Sequence, residues 1–460
     1  MSRRLHISVR IALLAALFAL GAFAEDRYLV KVTGDVNGIA KRHGLTVVKS
    51  LTGSAAGYHV LSSSGRVPQT VLRDLSAEFA VNSAEADQAV KLPGIKPGAK
   101  IHAASTASGG IRISSTLISY YTSYAASAYV NQPATDVINL DAAQKIANGT
   151  GAVVALIDTG ADFTHPVLKN SLVAGWDFIN NSSGGQEVAQ LNDQETTPIL
   201  DITCPDGTDG GPDGSGCFDQ ETTPILDGGT AIVLQQETTP ILDQSATAVL
   251  DSKKYPAYGH GTMVAGLIHL VAPQAKIMPI RAFGAEGNAT VSQIVDAISF
   301  AIAHHVDVIN MSFSLKMNSS AIGAALGQAY NAGIICVASA GNDGSSALVY
   351  PAAYGNVTGV AGTNNSLSRS TWSNYGTPLV SLAAPDEGLI STYPLQHYAQ
   401  VSGTSFSAPL VSGAAALLVD INRHTNQSLA ASELASSAHH LDSSLGAGEL
   451  DLYKLCKTAQ

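Results

Sequence analysis

The chain is short of charge. Only 13% of its 460 residues are Asp, Glu, Lys or Arg. Its basic residues form no cluster of the kind that grips a phosphate backbone, which argues against nucleic acid as a partner. Long apolar runs are also scarce. After Ala24 no stretch reads as long and apolar enough to cross a bilayer. Cysteine is rarer still, with four in all. From Gln190 to Asp251 there is no Lys or Arg, while twelve Asp or Glu stand there. The net charge of -11 therefore belongs to one segment, and the rest of the chain is close to neutral. What is plentiful is apolar surface, 45% of residues, together with 43 glycines. A chain of this length and composition can bury a large core and hold two or three domains.

The N-terminus has the pattern of an export signal. Arg3, Arg4 and Arg10 precede the apolar run Ile11 to Ala24, which ends in Ala22-Phe23-Ala24. A positive start, a short apolar run and an A-x-A site predict cleavage after Ala24 and an exported product, extracellular or periplasmic. The alternative, an uncleaved anchor, fits less well because the run is short for a span. In an exported chain the four cysteines can form disulfides.

Three stretches carry the chemistry. Gln400 to Val419, QVSGTSFSAPLVSGAAALLV, reads as a buried helix with Ser405 at its N-terminus and Pro409 in its first turn. Unpaired N–H groups and the positive end of the dipole favour developing negative charge there, as a nucleophilic serine requires. A plain helix cap is the alternative for Gly-Thr-Ser. Val153 to Gly160, VVALIDTG, reads as a buried parallel strand that delivers Asp158 at its C-terminal end. Gly259 to Leu267, GHGTMVAGL, sets His260 between two glycines at the start of another apolar helix. The order Asp158, His260, Ser405 is one of the chain orders in which a Ser-His-Asp triad occurs.

With IDTGADFTHP, GHGTMVAG, ASAGND and SGTSFSAP in this order, the chain resembles the subtilisin-like serine proteases over roughly residues 125 to 460. The resemblance implies an α/β fold, a subtilisin-like parallel sheet with helices on both faces. It implies Ser405 as nucleophile, His260 as general base, Asp158 as the group that orients the imidazole, and Asn342 as an oxyanion-hole donor. Ser312, Phe313 and Ser314 match the strand that pairs with substrate backbone. Val349 matches the floor of the specificity pocket. A branched residue there shortens the pocket, and Asp343 at the rim adds a mild basic preference. No cofactor is required. Family calcium positions depart from the pattern, with Val167 after His165-Pro166 and a short connection after Gly266.

The alternation of candidate elements supports the same architecture. Ile277 to Phe283, Val306 to Ser312 and Gly333 to Ser339 read as strands. Asp136 to Asn148, Val291 to His305 and Ala321 to Asn331 read as helices. Ahead of them, residues 25–92 read as a small ferredoxin-like α+β module in the order β-α-β-β-α-β. It resembles the family's propeptide, an intramolecular inhibitor. Residues 93–124 form a linker expected to contain the maturation site.

The family pattern is interrupted by an acidic insertion at about 182–254. The octapeptide QETTPILD occurs there three times, from Gln194, Gln220 and Gln236. The irregular spacing does not suit a solenoid. A flexible acidic loop is one reading, and a binding or attachment element is the other. Cys204 and Cys217 close a Gly-rich loop in which Asp206, Asp209 and Asp213 are weak calcium candidates. Cys336 reads as a buried thiol. Joining Ser183 to Lys253 through a short linker is expected to leave hydrolysis within about tenfold. The whole reads as an exported serine endopeptidase made as a pre-pro-enzyme. The alternative is an exported binding or surface protein that uses the repeats on an inactive protease scaffold.

Overall fold

The computed structural model describes residues 26–92, 116–187, 231–233 and 257–460. The signal-like run, the linker to residue 115, the QETTPILD repeats, Cys204, Cys217 and the candidates Asp206, Asp209 and Asp213 lie outside the described residues. The chain divides into two compact units, one ending at Gln88 and one beginning at Ala89.

The small unit is built from β1 (Asp26–Val32), α1 (Val36–Arg42), β2 (Thr46–Ser50), β3 (Tyr58–Ser63), α2 (Pro68–Ser76) and β4 (Val81–Ala86). Its sheet has the order β2-β3-β1-β4, with every neighbouring pair antiparallel. That is the ferredoxin-like order read from the sequence. Asp35 caps α1 by accepting from the Asn37 N–H, and Pro68 opens α2, where its missing N–H costs nothing. Tyr28, Val30, Ile39, Leu61, Val71 and Leu75 close the core.

The large unit begins with β5 (Ala89–Lys91), the hairpin β6 (Leu117–Tyr120) and β7 (Ser123–Ala126), and short helices α3 (Ser127–Val130), α4 (Pro133–Val137) and α5 (Leu140–Ala143). The helix expected over Asp136 to Asn148 is broken, because Asn139 adopts a left-handed conformation at φ 54°. Then follow β8 (Val153–Asp158), β9 (Gly175–Asp177), β10 (Ser182–Gly184), β11 (Ala231–Val233), α6 (His260–Val271), β12 (Lys276–Arg281), β13 (Asn288–Thr290), α7 (Val291–Ala303), β14 (Val308–Met311), α8 (Ser320–Asn331), β15 (Ile335–Ser339) and β16 (Thr358–Thr363). The chain ends with β17 (Leu382–Pro385), β18 (Leu389–Tyr393), β19 (His397–Val401), α9 (Thr404–Ile421), α10 (Gln427–Ser437) and α11 (Leu452–Thr458).

Eight strands form the central sheet in the order β10-β9-β12-β8-β14-β15-β16-β17. All neighbours are parallel except β10 with β9. The central strands β8, β15 and β16 are buried along almost their whole length, as strands covered on both faces must be. Alternation places Val154, Leu156 and Asp158 on one face, where Val154 and Leu156 join the core made by α6 and α9. α7 and α8 pack together and against β8 and β15 respectively. A Thr290–Gln293 capping box starts α7, and Ser319 caps α8.

Three expectations change. α9 is long and apolar enough to span a membrane, yet it is the buried core helix of this domain. Pro409 is not in its first turn but is the sixth residue of the helix. The acidic insertion also starts later than expected. Ser182–Gly184 pairs with β9, and the chain stays part of the fold through Glu187.

Candidate active site

The C-terminal ends of β8, β14, β15 and β17 meet the N-terminal ends of α6 and α9 in one place. This is where an open parallel sheet gathers ligands, because the strands part and the helix N-termini point inward. Asp158 ends β8 and is fully buried. His260 is the first residue of α6, and its Nδ1 lies 2.8 Å from Asp158 Oδ1 and 3.0 Å from Oδ2. Thr159 donates its N–H to the same Oδ1 at 2.7 Å, which fixes the carboxylate. The two glycines around His260 are forced by crowding. A Cβ on Gly261 would stand 2.0 Å from the Gly160 carbonyl, and Gly259 has φ 87°.

Burial works against a charged imidazole at His260. The charge and hydrogen bond of Asp158, with the charge of Glu187 behind them, outweigh it and raise the group above an ordinary histidine. Its Nε2 is buried and has no hydrogen-bond partner among the described residues.

Ser405 is the second residue of α9, after Gly403 and Thr404, so its N–H has no intrahelical acceptor. Its hydroxyl donates to the Ser312 carbonyl at 3.2 Å. The neighbouring Phe406 ring lies 5.4 Å from the imidazole of His260, which brings the serine turn and the histidine together. Pro409 has a structural consequence here. It has no N–H for the carbonyl four residues earlier, which is that of Ser405. That carbonyl instead accepts the Ser312 hydroxyl at 2.7 Å. Ser312 is held by the Asn310 amide at 3.0 Å, and Asn310 accepts the Ser412 hydroxyl at 2.8 Å. A polar chain thus ties the serine turn to β14.

Asn342 follows β15. Its Oδ1 accepts the Thr404 N–H at 3.0 Å and the Thr404 hydroxyl at 2.8 Å, so Nδ2 is the end left to donate. A Cβ on Gly403 would stand 3.0 Å from that Nδ2. The loop bearing Asn342 is clamped by Asn374, whose amide donates to the Ala340 carbonyl and accepts the N–H groups of Asp343 and Ser345. Asp386, after β17, accepts from the Ser370 hydroxyl and the Trp372 indole, while its carbonyl accepts the Gly403 N–H at 2.8 Å.

The other sequence candidates divide. Ser314 presents backbone, pairing antiparallel with Lys91, and Leu315 pairs with Tyr350. Phe313 contributes backbone only, since its ring is buried 5.2 Å from that of Phe283. Val349 is buried, with Cγ2 3.4 Å from where a Cβ on Gly341 would lie, so it fills the space beneath that loop. Lys316 and Asp343 pair at 3.4 Å on the rim. No group of three or more metal-binding side chains occurs among the described residues. Cys336 is buried and unpaired, its thiol pushed up to about 12 by burial.

Glu187, Asn374 and Asp386 escaped the sequence reading. Glu187 stands at the edge of the insertion with no motif around it. Asp386 had a faint signal, an acid directly after the apolar strand Leu382–Pro385.

A carboxylate-held histidine and a serine at a helix N-terminus thus stand at one end of a doubly covered parallel sheet. The subtilase family profile matches residues 149–448, and the chain belongs to that family of serine endopeptidases. It is 31% identical over 298 residues to thermitase of Thermoactinomyces vulgaris, covering 63% of this chain and 82% of that one. It is 36% identical over 204 residues to subtilisin DY of Bacillus licheniformis, covering 42% and 74%. Fervidolysin of Fervidobacterium pennivorans, a keratinolytic enzyme related to subtilisin, superposes with a TM-score of 0.65 at 20% identity. That match covers 95% of this chain and 62% of the other, and shows the likeness of fold.

Proposed function

We propose that the protein is an exported endopeptidase that cuts extended protein segments through Asp158, His260 and Ser405. His260 takes the proton of Ser405 as the hydroxyl attacks the carbonyl, then returns it to the leaving amine. Asp158 holds the imidazole in its Nδ1–H tautomer. Asn342 Nδ2 and the Ser405 N–H donate to the oxyanion, each such donor being worth ~3–4 kcal/mol. Water then releases the acyl group from Ser405. The observation that carries this reading is the 2.8 Å Asp158–His260 contact together with the placement of Ser405 at the N-terminal start of α9.

Substrate backbone pairs with Ser314 and with β13, and Val349 leaves a short pocket for small or medium apolar side chains. The pairing of β5 with β13, and of Lys91 with Ser314, supports a substrate-like pose for the chain before the linker. On this reading the small unit is an inhibitory propeptide, and the enzyme cuts itself free of it. The Asp206, Asp209 and Asp213 loop remains the candidate place for calcium, which the chemistry does not use. The test is a fluorophosphonate probe with a time course of maturation. Native protein should label at Ser405 and yield a mature band. Ser405→Ala should neither label nor hydrolyse, and should accumulate a precursor beginning at Glu25. Labelling, hydrolysis and normal maturation of purified Ser405→Ala would overturn the reading.

A further inference from the structure

Glu187 is a buried carboxyl group that the mechanism above does not use. It is 0% exposed, and none of its hydrogen-bond partners among the described residues is a cationic side chain. Instead it takes four donors. One oxygen accepts the Thr159 hydroxyl and the Gly259 N–H at 2.8 Å. The other accepts the Thr262 N–H at 3.2 Å and the Thr262 hydroxyl. Gly259 and Thr262 flank His260, and Thr159 follows Asp158. Glu187 therefore caps the start of α6 from 72 positions earlier in the chain and grips both neighbours of the Asp158–His260 pair. Gly259 itself has no side chain to cap with, so the four unpaired N–H groups of the helix start need an outside acceptor.

We infer that Glu187 is a positioning residue for the endopeptidase, a second carboxylate that holds His260 in place and helps keep it basic. The inference rests on His260 being the general base. A purely apolar filler in this place would leave the Gly259 and Thr262 N–H groups buried and unsatisfied. A neutral amide would turn at least one N–H toward donors. Only a carboxylate offers acceptors alone on both oxygens. Its charge also acts on the imidazole. Burial pushes Glu187 up to about 7, with hydrogen bonds from Thr159, Thr262 and Gly259 pulling against it and the Asp158 charge adding to the rise. The other ionisable groups around it are Tyr258 and Tyr393, both pushed up by burial and by its charge, and Asp162 near Tyr258. From α9 the imidazole meets the uncharged Phe406 ring.

The experiment measures kcat and KM against pH on the full mature chain carrying Glu187→Gln and Glu187→Asp. His260→Ala and Ser405→Ala serve as controls. Glu187→Gln should lower kcat roughly ten- to a hundredfold with KM within about twofold, and move the acid limb of kcat/KM down by roughly half a unit or more. Loss of a nearby negative charge lowers the imidazole pKa, so the base form persists to lower pH. Glu187→Asp keeps the charge, so its acid limb should stay near wild type while kcat falls. An unmoved limb in Glu187→Gln overturns the inference, whatever kcat does. If Glu187→Gln does not fold, the unmutated enzyme gives the answer. The His260 imidazole followed by NMR should respond to two ionisations above about pH 5, and a single step overturns the inference. Persistent hydrolysis by His260→Ala would instead overturn the assignment of the base itself.

Discussion

Asp158 and Asp386 are two fully buried aspartates at the same edge of one parallel sheet, and they live in opposite ways. Asp158 has an imidazole at 2.8 Å and a backbone N–H at 2.7 Å. Among the described residues the Asp386 side chain accepts from the Ser370 hydroxyl and the Trp372 indole, and burial pushes it up to about 8 with Glu387 and Glu449 adding to the rise. Glu449 nearby is buried too, accepts from Thr363 at 2.7 Å, and is pushed up to about 7 by burial. A buried carboxyl group hydrogen-bonded to a basic partner can orient that partner for chemistry. One with few donors, as Asp386 with two against the four on Glu187, keeps its proton and serves as a neutral crossbrace. Here the crossbrace holds the loop at Trp372 to the turn at Gly403.

The sharpest test is the same substitution at both sites. Asp158→Asn should lower kcat by roughly 10³–10⁴ by presenting the wrong tautomer-holding group to His260. Asp386→Asn should leave kcat within about threefold, since the amide oxygen can accept from the Trp372 indole while the Ser370 hydroxyl turns to accept from the amide NH2. Its effect should fall on stability against pH. The folded-state value of Asp386 is raised above its ordinary 3.8 to about 8. The native protein is therefore fully stabilised below the unfolded value and loses that contribution as pH rises through the folded one. Asp386→Asn should remove this loss, narrowing the fall in melting temperature between acid and alkaline buffer by about 2–5 °C. Equal rate losses at the two aspartates would erase the distinction.

A second comparison sets two deletions of the insertion side by side. Joining Glu187 to Ala257 through a Gly/Ser linker should leave peptide hydrolysis within about tenfold of wild type. Joining Ser183 to Lys253 removes Glu187 and should cost at least about a further tenfold in a folded protein. Equal rates would show that the fold tolerates its loss.

The smallest effect concerns the serine turn. Ser312→Ala should lower kcat about three- to tenfold, because the Ser405 carbonyl loses its donor. Pro409→Ala restores an N–H to that carbonyl, so Ser312→Ala should cost less in its background. Steady-state rates of both single variants and the double variant give the coupling, and strict additivity would deny the link between the two residues.

The sequence by itself determined the parts whose signals are local. Apolar strands ending in Asp158, a glycine-flanked His260 and the Gly403-Thr404-Ser405 helix start were all legible, because strand burial, crowding and capping leave marks within a few residues. The β-α-β-β-α-β order of the first unit was legible for the same reason. Tertiary structure decided the rest. Glu187 meets its donors 28 and 72 positions away, and no short motif can record that. The break at Asn139 turned on one left-handed residue inside a helical pattern. Pro409 was read as a tolerated first-turn proline, but its role came from a carbonyl it left open and a hydroxyl 93 positions distant that closes it. Asp386 is neutral only because the fold removes water from it. Burial and long-range hydrogen bonding are properties of the packed chain, and composition or spacing carries neither.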